Sequence, residues 1–273
     1  HEYSDHREKD NGMTKPAVLI TGASSGIGAT YADRFARRGH DLVLVARDEA
    51  RLTKLAERLR AETGVAVDLL PADLTDAADL ATVEARLQQD TRIGILVNNA
   101  GAALAGAFEE QPVEGIERLV TLNTTALLRL AHAVAPRFVA AGEGAVINIG
   151  SVVGLVPEFG QTVYGATKAF VLYLSQGLAH ELSPKGVYVQ AVLPAATGTE
   201  IWERAGADAD ALPPMMDVGD LVDAALAGFD QREPVTIPPL HDGSLWDALQ
   251  TARVAMIPQF GNTAPASRYL AQA

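Results

Sequence analysis

Ala17-Val18-Leu19-Ile20-Thr21-Gly22-Ala23-Ser24-Ser25-Gly26-Ile27-Gly28 decides the fold. Its first five residues are apolar or β-branched, as a strand buried on both faces should be. Three glycines follow with the spacing G-x-x-x-G-x-G, and an amphipathic stretch over 28–38 comes next. A strand that turns through glycines into a helix presents backbone N–H groups and a helix N-terminus to an anion. The glycines let the chain turn tightly and approach a pyrophosphate closely. Gly22, Ser24, Ser25, Gly26, Ile27 and Gly28 are therefore expected to cradle a dinucleotide. Any tight βα turn favours glycine, so the rest of the chain has to agree.

Outward from this turn, short apolar runs alternate with amphipathic ones. Strands are expected at 17–21, 42–46, 65–70, 93–98, 145–150 and 187–193. Helices are expected at 28–38, 48–62, 76–89, 112–141 and 161–182. Asp48 and Asp76 read as N-caps, and Gly39, Gly64, Gly142 and Gly186 fall where left-handed C-caps occur. This order implies an α/β fold with a doubly wound parallel sheet, helices covering both faces. Residues 13–273 are expected to form one domain. Residues 1–12 are polar and aperiodic and are expected to be a leader, a tag or a disordered extension. A helical piece at 201–205 is expected within a substrate loop at about 195–215. A helix at 221–229, a strand at 234–237 and an extension over about 238–273 complete the chain.

The bulk numbers exclude several classes. The 273 residues carry a net charge of −12 and no cysteine. Thiolate nucleophiles, disulfides and cysteine zinc sites are excluded, and no histidine pair has metal-ligand spacing. The acidic balance argues against a nucleic-acid partner. No apolar run approaches the ~20 residues of a membrane span, and no signal peptide is visible. A cytoplasmic protein acting on a small molecule is the expectation.

The end of the second strand bears on the cofactor. A carboxylate there would bond a ribose 2′-hydroxyl, whereas Arg47 can pair with a 2′-phosphate. NADP is therefore favoured over NAD. The open alternatives are a solvated Arg47 and a register that points Asp48 at the ribose.

Tyr164 and Lys168 are four residues apart in a helical segment, so they share one face. The ammonium is expected to pull the phenol below its usual pKa of about 10, which suits a general acid or base. Ser151 ends the fifth strand, at the carboxyl edge where open α/β sheets bind ligands. Its hydroxyl can bond a substrate oxygen.

Together these residues resemble the short-chain dehydrogenase/reductase family over about residues 15–195. The resemblance is carried by the glycine turn, Asp73-Leu74-Thr75, Asn98-Asn99-Ala100-Gly101, Asn123, Ser151 and Tyr164-Gly165-Ala166-Thr167-Lys168. It implies a Rossmann-type, three-layer α/β/α domain, a nicotinamide dinucleotide, and a catalytic set of Ser151, Tyr164, Lys168 and Asn123. Asn123 would hold a water that relays protons to Lys168, which also holds the ribose. Asp73 and Leu74 would meet adenine, and Asn99, Ala100 and Gly101 would brace the cofactor. The family continues the sixth strand with Pro-Gly, whereas this chain has Pro194-Ala195. Pro194 and either Thr197 or Thr199 are expected on the nicotinamide side. The resemblance further implies a homodimer or homotetramer paired through the two long helices.

The expected activity is carbonyl/alcohol redox chemistry on a small to medium, apolar substrate. Val152, Val153, Leu155, Val156, Phe159, Ile201 and Trp202 would surround it. The competing readings are a non-catalytic NADP-binding regulator and a nucleotide-free dehalogenase. The intact Tyr164/Lys168 pair and the glycine turn argue against both.

Overall fold

The computed structural model describes residues 14–200, 204, 206 and 214–270. The expected leader and most of the expected helical piece at 201–205 lie outside the described residues, as do Ile201 and Trp202. The first seven elements alternate: β1 (Ala17–Thr21), α1 (Gly26–Arg37), β2 (Leu42–Ala46), α2 (Glu49–Thr63), β3 (Val67–Pro71), α3 (Ala77–Gln89) and β4 (Ile93–Asn98). Then come α4 (Val113–Val120), a π-helical segment (Thr121–Ala126), α5 (Leu127–Ala141), β5 (Ala145–Ile149), α6 (Thr162–Leu182) and β6 (Tyr188–Val192). Finally, α7 (Val218–Asp230), β7 (Val235–Thr236) and α8 (Ser244–Ala255) follow.

The seven strands form one parallel sheet in the order β3-β2-β1-β4-β5-β6-β7. Successive side chains point to opposite faces of a strand. Val18 and Ile20 therefore pack with α1, α2 and α7, while Ala17 and Leu19 pack with α3 and α5. Two apolar cores result, one on each side of the sheet. The chain leaves β1 toward β2 on one side and later returns to β4 on the other. Ligand crevices open at this kind of switch point, outside the carboxyl ends of the strands.

The caps behave as expected. Asp48 accepts from Arg51 N, and Asp76 accepts from Ala78 N and Asp79 N. Gly39, Gly64, Gly142 and Gly186 all have positive φ.

Several element ends shift, α1 starting at Gly26 rather than 28 and α7 at Val218 rather than 221, and two departures have a cause in nearby hydrogen bonds. β3 starts at Val67 rather than residue 65, because Val65 N bonds Thr63 Oγ1 and Ala66 N bonds Asp41 Oδ1 outside the ladder. The helix expected over 112–141 is interrupted by the π-helical segment around Asn123.

Contacts divide the chain into two compact units, residues 1–238 and 239–273. The first contains the sheet. The second consists of α8 and short 3-10 turns, and none of α8's residues is buried.

Candidate active site

The glycine turn is built by close approach. Gly22 has φ +61°, and a Cβ there would lie 2.9 Å from the Ala100 Cα. A Cβ on Gly28 would collide with the Gly22 carbonyl oxygen. Thr21 Oγ1 accepts from Asn99 N at 3.0 Å and Ala100 N at 2.9 Å. Asn99 Nδ2 donates to the carbonyls of Thr21 and Gly22, both at 3.1 Å. Asn99 and Ala100 thus staple the turn from β4. Ser25 caps α1 without a side-chain bond, and the first turn of α1 has no acid. The positive helix end faces the crevice uncompensated.

A cleft of about 750 Å³ opens here. Gly22, Ser24, Ser25, Gly26 and Ile27 form one wall, with Arg47 beside them. Asp73 and Leu74 line it, as do Asn99, Ala100, Gly101 and Thr199. Arg47 is exposed at the end of β2 and has no ion pair with a described residue. Asp48 is committed to the α2 cap and to an ion pair with Arg51 at 3.5 Å. Of the two candidate threonines, Thr199 lines the cleft. Thr197 is buried and donates to the Ala195 carbonyl at 2.9 Å. Pro194 is buried, and its carbonyl accepts from Val152 N at 2.9 Å and Ser151 Oγ at 3.4 Å. Ala195 has no positive φ, so a side chain replaces the expected glycine without backbone strain.

Ser151, Tyr164, Lys168 and Asn123 come together behind Gly101. All four are buried. Ser151 hydrogen-bonds the Tyr164 side chain. Lys168 Nζ donates to the Ile149 carbonyl at 3.0 Å and sits 5.7 Å from the centre of the Tyr164 ring. A Cβ on Gly101 would lie 3.4 Å from Asn123 Oδ1 and 3.6 Å from Lys168 Nζ. This absent side chain keeps the lysine next to the cleft wall. Asn123 is fully engaged: Oδ1 accepts from Ala102 N at 2.9 Å, and Nδ2 donates to Ala102 O at 2.9 Å and Thr167 Oγ1 at 3.1 Å.

The electrostatics overturn one expectation. Burial pushes the Tyr164 phenol up to about 12, against the hydrogen bond from Ser151. Burial pushes Lys168 down to about 8. Desolvation disfavours the charged form of each group, and for the phenol it outweighs the bond from Ser151.

The family model for short chain dehydrogenases matches residues 16–210. The chain belongs to the short-chain dehydrogenase/reductase family. It is an oxidoreductase of the CH–OH/C=O class. A short-chain dehydrogenase from Sphingobium yanoikuyae, solved in complex with NADPH, is 69% identical with a TM-score of 0.92, covering 93% of this chain and 100% of its own. The bulky-bulky ketone specific alcohol dehydrogenase from Comamonas testosteroni is 59% identical with a TM-score of 0.89, covering 95% and 100%. A 2,5-dichloro-2,5-cyclohexadiene-1,4-diol dehydrogenase from Sphingobium indicum is 34% identical over 222 residues, 79% of this chain and 88% of its own.

This short-chain dehydrogenase also carries site features that sequence reasoning missed. Thr167 bridges Asn123 to the Tyr164 carbonyl, to which it donates at 2.7 Å. Its place three residues after Tyr164 was the available signal. Arg118 of α4 pairs with Asp73 Oδ2 at 3.2 Å. Glu200 pairs with Arg51 at 2.8 Å and Arg204 at 2.5 Å. The Arg118–Asp73 and Arg51–Glu200 pairs join residues far apart in the chain, and no local pattern announces them, whereas Glu200–Arg204 has the i,i+4 spacing of neighbours on a helix.

Proposed function

We infer that this chain is an NADP(H)-dependent carbonyl reductase or alcohol dehydrogenase with Tyr164 as its general acid and base. The observation that carries the reading is the buried Ser151–Tyr164–Lys168 cluster behind Gly101, next to a glycine-walled cleft. The cleft suits a dinucleotide: its glycine cradle would be filled by any Cβ, and the α1 N-terminus is open to a pyrophosphate. Arg47 supports a 2′-phosphate, since it lines the cleft as an exposed guanidinium while Asp48 is held by its cap. The NADPH complex of the Sphingobium yanoikuyae relative agrees.

When bound, the nicotinamide supplies the hydride. The protein's own residues handle the oxygen and its proton. Ser151 bonds the substrate carbonyl oxygen. Tyr164, protonated across the working range, donates its proton to that oxygen in reduction and recovers it in oxidation. Lys168 offsets the phenolate charge that this transfer creates. Asn123 holds the β4 loop to α6, fixing Gly101 against Lys168. The substrate is a ketone or secondary alcohol with apolar substituents, in keeping with the ketone named for the Comamonas relative. Val152, Val156 and Phe159, in the turns that follow Ser151 and not buried, would meet those substituents.

One assay tests this. NADPH oxidation is followed over a panel of aryl and alkyl ketones. Wild type is expected to turn over, and Tyr164→Phe to lose roughly 10²–10⁴-fold in kcat, the usual share of a general acid. Arg47→Ala is expected to raise KM for NADPH far more than for NADH. Tight NADPH binding without turnover across the panel would instead mark a regulator, and equal losses with both cofactors would remove the phosphate role of Arg47.

A further inference from the structure

Asp73 is held from two directions. Its Oδ1 accepts from Thr75 N at 2.9 Å and Thr75 Oγ1 at 2.6 Å. Its Oδ2 accepts from Arg118 Nη2 at 3.2 Å, and Arg118 reaches it from α4 across 45 residues of sequence. Asp73, Leu74 and Thr75 line the cleft just past β3, while Arg118, Leu119 and Leu122 line it from α4. The ion pair therefore spans two walls of the cleft. Thr75 pins one oxygen from the β3 side and Arg118 pins the other from α4, so the plane of the carboxylate is held from both walls.

An ionised carboxylate only accepts hydrogen bonds. Burial favours the neutral acid of Asp73, but the bonds from Thr75 and the charge of Arg118 outweigh it and keep the group ionised. Such a carboxylate suits a ligand N–H₂ donor and disfavours a carbonyl oxygen. On the dinucleotide reading above, the ring that carries such a donor is adenine.

We propose that Arg118 is a positioning residue, which by holding Asp73 Oδ2 from α4 aims that carboxylate at the 6-amino group of the cofactor's adenine. The pair is half exposed, with side-chain exposures of 55% and 33%, so it contributes little to folding. Its effect falls on which base the cleft prefers. If Arg118 acted instead by stacking on the base, the identity of the 6-substituent would be irrelevant to it.

The experiment compares three reductants with one ketone: NADPH, its hypoxanthine analogue with a 6-oxo group, and reduced nicotinamide mononucleotide, which has no base. Wild type is expected to favour NADPH over the hypoxanthine analogue by roughly tenfold in KM, the worth of one charge-assisted hydrogen bond. Arg118→Met is expected to bring that ratio to about threefold or less by raising KM for NADPH. Saturating kcat and the rate with the mononucleotide should stay at wild-type values. Arg118→Lys, which keeps a donor but not the planar fork, should recover part of the ratio. The proposal is overturned if wild type does not discriminate between the two bases, if Arg118→Met keeps the wild-type ratio, or if it weakens both dinucleotides equally. A wild type that oxidises none of the three reductants with any ketone refutes the parent reading instead.

Discussion

Lys168 donates to the Ile149 carbonyl from a site that excludes nearly all water, and its pKa falls to about 8 as a result. Below that value the side chain is charged, and in the proposed mechanism it offsets the phenolate that Tyr164 becomes on giving up its proton. As pH rises through about 8 the charge is lost, and proton transfer from a phenol near 12 becomes harder. Reductive kcat/KM for a ketone is therefore expected to be level in mildly acidic solution. It should then fall by about tenfold per unit on the alkaline side, as one ionisation requires. The oxidative direction has the opposite sign, since Tyr164 must start as the base and is protonated below about 12. A pH–rate profile in both directions checks this. A reductive limb that stays level well past pH 9 would separate Lys168's charge from the reaction.

At the scale of elements, the π-helical segment is where helix, loop and catalytic helix are joined. The extra residue in this turn carries Asn123 to Ala102, and Thr167 ties it to α6. Thr167→Val keeps the shape but removes the hydroxyl, leaving one buried amide donor short of a partner. A stability loss of about 1–3 kcal/mol is expected by urea denaturation, with Thr167→Ser close to wild type. An unchanged midpoint in Thr167→Val would show that the bridge contributes nothing. The sequence pointed to part of this arrangement. The family resemblance singled out Asn123, and Asp48, Asp76 and the C-cap glycines marked their helix ends by local chemistry. The π turn itself was not legible, because its cause is a tertiary bond to Ala102. The start of β3 was missed for the same reason, since Asp41 claims the Ala66 N–H from another strand's entrance. The gathering of Ser151, Tyr164, Lys168 and Asn123 was legible by spacing and order. Their ionisation was not, because burial rather than the neighbouring charge sets it.

At the scale of the whole molecule, the parallel sheet buries both of its faces, but the outer face of α6 stays open. Ala166, Phe170, Tyr173 and Gly177 recur there at helical spacing, so they share one stripe. Ala166 is exposed, Phe170 is 37% exposed and Tyr173 81%. A Cβ on Gly177 would meet nothing within 4 Å. A helix with an apolar stripe and a notch at a glycine suits close packing against another helix. The homodimer or homotetramer expected from the family resemblance would place α6 against a second copy of the chain. Gly177→Arg tests this cleanly. The side chain enters open space within the protomer, and arginine favours a helix over glycine by up to about 1 kcal/mol. The protomer should therefore keep its far-ultraviolet circular dichroism spectrum, while a charged bulk fills the notch a partner helix would use. Light scattering is expected to give a multiple of 28.8 kDa for wild type and a single-chain mass for Gly177→Arg. A wild type of single-chain mass at micromolar concentration would rule out the assembly. An oligomer that survives Gly177→Arg would place its interface on another face.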